Sequence, residues 1–160
     1  KVKQRRPLVR IFNSENQSYY IDEQGLVLPL SGKFAAHVLV VNGEIKEHFP
    51  LKPNQDVMQW DTSKYKREPL LRKIYDFAKF ISDNDFWNAQ ITQMYVLDAN
   101  NIELIPRVGS QVIMLGSLDN YEKKLNKLKK FYEKALPAEG WNKYKMINLK
   151  YTNQIICTKL

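Results

Sequence analysis

An α+β fold is what this sequence predicts: a largely antiparallel β-sheet with two amphipathic helices packed on one face. Three observations carry that prediction. Short apolar or alternating segments, bounded by turn residues, recur along the chain. Two longer stretches place apolar residues at helical spacing on one side only. From Tyr144 onward the chain reads as a strand, a turn and a second strand. Strands grouped around one-sided helices call for a sheet that buries the helices' apolar stripes.

In chain order, Leu8-Val9-Arg10-Ile11-Phe12 is the first strand candidate and Ser18-Tyr19-Tyr20-Ile21 the second. Asp22-Glu23-Gln24-Gly25 supplies a turn, and Leu26-Val27-Leu28 returns as a third strand. Pro29-Leu30-Ser31-Gly32-Lys33 breaks the pattern and marks the expected domain boundary. Val38 to Val41 is a continuous apolar run ahead of Asn42-Gly43, the strongest short turn signal in the chain. The stretch from Lys46 to Lys66, with Pro50 and Pro53, reads as an irregular loop. A helix follows from Glu68 to Ser82, with Leu71, Ile74, Ala78 and Ile81 in register and Pro69 suited to its first position. Gln90 to Val96, Ile102 to Pro106 and Gln111 to Leu115 are three further strands, the first two joined through a turn near Asp98 to Asn101. The second helix spans 120–136, its start capped by Asp119 or Asn120 and its end stopped by Pro137. It carries Tyr121, Leu125, Leu128, Tyr132 and Ala135 on one face and lysines opposite. Last come a strand from Tyr144 to Tyr151, a turn at Thr152-Asn153, and a strand from Gln154 to Thr158.

The composition is that of a globular chain able to bury a core, with 44% hydrophobic and 26% charged residues. The longest apolar runs, Val38 to Val41 and Val112 to Leu115, have four residues, against roughly 20 for a membrane-spanning helix. A net charge of +8 raises the question of a polyanionic partner. Much of that charge lies in two clusters: Lys1, Lys3, Arg5, Arg6 and Arg10, and the helical lysines 123, 124, 127, 129, 130 and 134. The second cluster is all lysine, without the arginines that read bases, and its aromatics belong to or adjoin the apolar face. A solvated helix face is therefore the first reading, and a polyanion or nucleic-acid surface on helix 120–136 the alternative. One cysteine, Cys157, excludes an internal disulfide and sits among apolar neighbours, as a buried inert thiol would.

Catalytic templates fail for lack of residues. His37 and His48 stand near no nucleophile in a recognisable arrangement, and no paired His or Cys motif offers a metal site. Asp83-Asn84-Asp85 opens like a calcium loop, but Asn88 and Met94 stand where that loop requires Gly and Glu. No glycine loop cradles phosphate. No cofactor is expected, and the chain reads as a binding module and not an enzyme. A chain that closes on a hairpin exposes a sheet edge, whose unpaired backbone groups a partner strand can complete.

Four blocks, taken in order, resemble the extracytoplasmic region of the FtsQ/DivIB family of bacterial cell-division proteins. Tyr19-Tyr20-Ile21-Asp22, with Gly25 and Val27, is similar to the strand–turn–strand that closes the family's POTRA domain. Leu28-Pro29-Leu30 with Gly32 resembles the passage into the family's β-domain. Ile113-Met114-Leu115-Gly116, then Leu125, Leu128 and Phe131, is similar to its Leu-Gly and Lys-Leu segment. Ile147-Asn148-Leu149-Lys150-Tyr151 resembles its closing strand, with Asn148 where the family usually has Asp and Lys150 where it usually has Arg. The resemblance implies that residues 1–32 are the C-terminal part of a POTRA domain and residues 33–160 the β-domain. It implies a non-catalytic scaffold of the divisome, active in septum formation and anchored in the inner membrane by a single N-terminal span outside this sequence. This region would then face the periplasm or the outer surface. The implied partners are FtsB (DivIC)-type and FtsL-type division proteins, added as a strand along the last strands. By position, the implied contacts are Asn148, Lys150, Tyr151, Thr152 and Asn153.

Overall fold

The computed structural model describes residues 5–28, 37–46, 56–59, 69–134 and 143–160. The nine strands among these residues form one sheet in the order β3-β2-β1-β4-β5-β6-β7-β8-β9. In chain order these are β1 (Pro7–Phe12), β2 (Ser18–Asp22), β3 (Val27–Leu28), β4 (Leu39–Gly43), β5 (Ile91–Asp98), β6 (Asn101–Pro106), β7 (Val112–Gly116), β8 (Tyr144–Asn148) and β9 (Ile156–Lys159). The described helices are α1 (Leu70–Asp83), α2 (Asp85–Gln90) and α3 (Tyr121–Lys134), with a short 3₁₀ turn at Val57–Gln59. The α+β class and the largely antiparallel sheet are as predicted. The parallel pairs are β1 with β4, β4 with β5, and β7 with β8. A helix or a long connection precedes the second strand of each, as a parallel crossover requires.

Alternation along the strands explains which face is covered. Val9, Ile11, Val41, Met94, Val96, Ile102, Leu104, Ile113 and Ile147 are all fully buried beneath the helices. Leu71, Ile74, Phe77, Ala78 and Ile81 of α1 and Leu125, Leu128 and Tyr132 of α3 meet them from the other side. Edge-to-face contacts of Phe77 and Phe80 with Tyr121, both near 5 Å between centroids, join α1 to the start of α3.

Several elements depart from the sequence reading. Helix α2 was not foreseen, because six residues are too few to show a period; Asn84 caps it, accepting the Trp87 N–H at 3.1 Å. Asp83 ends α1, and Pro69 stands at its N-cap position, one place before the first helical residue. Asn42-Gly43 makes no hairpin. Gly43 ends β4 beside β5 with φ +116°, and a Cβ there would lie 2.2 Å from the Val96 carbonyl oxygen. The glycine serves close backbone approach, not a tight turn. The last hairpin also differs. β8 stops at Asn148, not Tyr151, and residues 149–155 form its loop. The cause is local: the Asn148 side chain accepts the Lys150 N–H at 2.9 Å, a turn that takes the backbone out of the ladder.

The expected boundary around residues 29–33 lies outside the described residues, as do Lys1, Lys3, His48, Pro50, Pro53, Pro137 and most of the 46–66 stretch. On either side of that boundary the strands share the sheet, with Val9 opposite Leu39 and Ile11 opposite Val41.

Candidate functional site

β9 ends the sheet and has a described strand on one side only, β8. Its register sets Asn148 opposite Ile156, Ile147 opposite Cys157 and Met146 opposite Thr158. The Leu160 N–H donates back to the Lys143 carbonyl at 3.1 Å. Because backbone groups alternate along a strand, the Lys159 N–H and C=O then point away from β8, toward the open edge. Ile156, Thr158 and Lys159 are exposed, whereas Ile155 and Cys157 pack partly buried against the core. Cys157 is thus half-buried, more open than the sequence suggested.

The loop joining β8 to β9 is held at three points. The Leu149 N–H donates to the Met114 carbonyl at 2.8 Å, extending the β7–β8 pairing by one residue while the Leu149 side chain fills the core. The Lys150 ammonium donates to the Asn101 side-chain oxygen in the β5–β6 turn. Its methylenes lie over Gly116, where a Cβ would come within 2.8 Å of the Lys150 Cγ. In the same turn the Asn101 amide donates to Asp98 at 2.8 Å, and with the Asn100 N–H it holds that carboxyl below its ordinary value. Third, the Lys127 ammonium of α3 meets the carbonyl oxygens of Leu149 at 3.5 Å, Tyr151, and Gln154 at 3.1 Å.

The five expected contact residues therefore divide. Asn148 and Lys150 are spent on shaping the loop. Tyr151, Thr152 and Asn153 form its exposed tip, with half of Tyr151 open to solvent. None of these three lies on a described strand; the strand nearest them in the chain is β9. Sequence reasoning missed Lys127 and Lys159 as site residues. The signal for Lys159 was present in the predicted second strand, read one residue too short.

The surroundings are basic. Lys143, Lys145 and Lys159 are exposed on or beside the hairpin, in addition to the two anchored lysines. The lysines of α3 are less free than a solvated face implies. Lys124 donates to the Ser117 carbonyl at 2.8 Å and is pulled below the usual lysine value by burial. Lys129 sits 5.0 Å over the Phe86 ring. Lys123, Lys130 and Lys134 remain on the exposed face.

Residues 6–158 match the protein family described as FtsQ/DivIB, C-terminal related. A search of the curated proteins finds no match. No described helix is long and apolar enough to cross a membrane. The match covers every described strand but for the last residue of β9, the described helices and the edge hairpin alike. A chain matched over that span, with the sheet and helices the resemblance implied, belongs to the FtsQ/DivIB, C-terminal related family of cell-division proteins.

Proposed function

We propose that this chain is a non-catalytic scaffold domain of the divisome that takes up an extended segment of an FtsB (DivIC)-type partner as a tenth strand beside β9, with an FtsL-type protein in the same assembly. The observation that carries the reading is the position of β9: it ends the sheet, its Lys159 backbone faces outward, and the exposed Tyr151 stands at the adjoining loop tip. Backbone ladder bonds supply affinity in such a mode and tolerate many side chains. Tyr151 supplies a rigid surface that loses little entropy on binding. Lysines around the edge favour a partner strand with acidic flanks, which speeds encounter more than it deepens affinity. In this reading residues 1–32 are the closing part of a POTRA domain and residues 33–160 the β-domain. The region stands outside the cytoplasm, tethered to the inner membrane.

Calorimetric titration with the extracytoplasmic segment of the FtsB-type protein from the same organism tests it. Binding should persist at high salt, with only its rate of formation falling. Lys159→Pro removes an outward donor and leaves the β8–β9 bonds in place, as edge prolines do. It should weaken binding about tenfold, the worth of roughly one hydrogen bond. Unchanged affinity in the folded variant would rule out strand addition at this edge.

A further inference from the structure

Lys127 has no place in a simple solvated face. An ammonium group carries three N–H donors and no acceptor, and three backbone carbonyls of the 149–155 loop, those of Leu149, Tyr151 and Gln154, converge on this one. The match is one of number and of need. A loop of this length leaves carbonyls that neither β8 nor β9 can pair, and unpaired carbonyls at a partly buried site are costly. The side chain reaches them from α3, whose Leu125 and Leu128 are fully buried, so the anchor point is rigid. The tip of the edge hairpin is thereby tied to the helix layer, whereas the described strand pairing of β9 is to β8 alone.

We infer that Lys127 is the positioning residue of the edge hairpin: by gathering these three carbonyls it fixes Tyr151 and the start of β9 as a preformed docking edge. The docking part of this inference rests on the strand-addition reading above; the positioning part does not. The ammonium is required by shape as well as charge. A planar guanidinium presents its donors in a fork and cannot meet three converging oxygens at one point. A preformed edge binds more tightly because less ordering remains to be done on association.

The test uses the whole chain and three substitutions: Lys127→Met, which keeps the stem and loses the donors; Lys127→Arg, which keeps the charge; and Lys130→Met on the exposed face. Amide hydrogen exchange is followed in residues 149–159, with β5, β6 and β7 as the internal control. Lys127→Met should speed exchange in the hairpin about tenfold, as a local opening not shared by the control strands. Lys127→Arg should restore only part of the protection, and Lys130→Met should change nothing. Affinity for the FtsB-type segment should fall in the same order. Hairpin exchange that is equal in Lys127→Met and Lys130→Met would overturn the inference. Faster exchange with unchanged affinity would overturn the docking role. Faster exchange in a protein whose unsubstituted form binds no partner segment would remove the strand-addition reading and leave the positioning of the loop standing.

Discussion

Single residues show where local signals in the sequence were sound and where their meaning changed. Asn42-Gly43 is a strong turn signal, yet the glycine is needed because the β5 backbone passes against it. Gly43→Ala adds a Cβ into the Val96 carbonyl at a φ that side chains avoid, and should cost about 2–3 kcal/mol in urea unfolding. Asp119, one of the two cap candidates with Asn120, receives the Lys73 ammonium at 3.0 Å, which holds its carboxyl below the usual value. The stability from this pair is present above the unfolded carboxyl range near pH 4 and lost as acid titrates the folded group. Asp119 is largely solvated and Lys73 partly so, and Asp119→Asn should change stability at pH 7 by no more than about 1 kcal/mol and flatten the acid limb slightly. The strand could be read from sequence as running on from Asn148 to Tyr151, because the capture of the Lys150 N–H by the Asn148 side chain depends on backbone torsions no pattern displays.

Helices α1 and α3 were legible because both carry a one-sided apolar stripe, and those stripes are the buried ones. In α3, Leu128→Ala should lose about 2–5 kcal/mol by opening a cavity beneath the helix. Lys130→Gln, two residues along on the exposed face, should stay within about 0.5 kcal/mol. Both follow from paired denaturation curves. Helix α2 was illegible for want of length, and it depends more on its cap; Asn84→Ala should cost about 1 kcal/mol. The lysine stripe was legible as charge but not as contacts. That Lys124, Lys127 and Lys129 turn inward or lie over a ring depends on where Ser117, the 149–155 loop and Phe86 sit in three dimensions. Lys124 and Lys127 are thus engaged by backbone carbonyls, while Lys129 stays exposed over its ring. Substituting Lys123, Lys130 and Lys134 by Gln should leave partner binding intact.

At the scale of the molecule, the sheet has two ends of unequal character. The β3 end is short, and Leu26 there bridges Asp56 while the Val57 N–H donates to Gly25, so that edge is partly covered by its own chain. The β9 end has no such cover among the described residues. Natural sheets seldom leave an edge without a reason, since an open ladder invites pairing. The strand order itself could not be read from the sequence. Parallel joins between β1 and β4 and between β7 and β8 depend on long-range packing, whereas the hairpins β1–β2 and β5–β6 announce themselves through their turns. The family follows from order and spacing of several weak blocks together, no one of them sufficient.

Strand addition at β9 is read most directly by amide hydrogen exchange of this chain with and without the FtsB-type segment. Strand addition predicts new protection at Lys159, whose N–H points outward, with little change at β3 and on the exposed face of α3. Protection confined to the α3 lysines or to β3, with Lys159 exchanging as before, would contradict strand addition at β9.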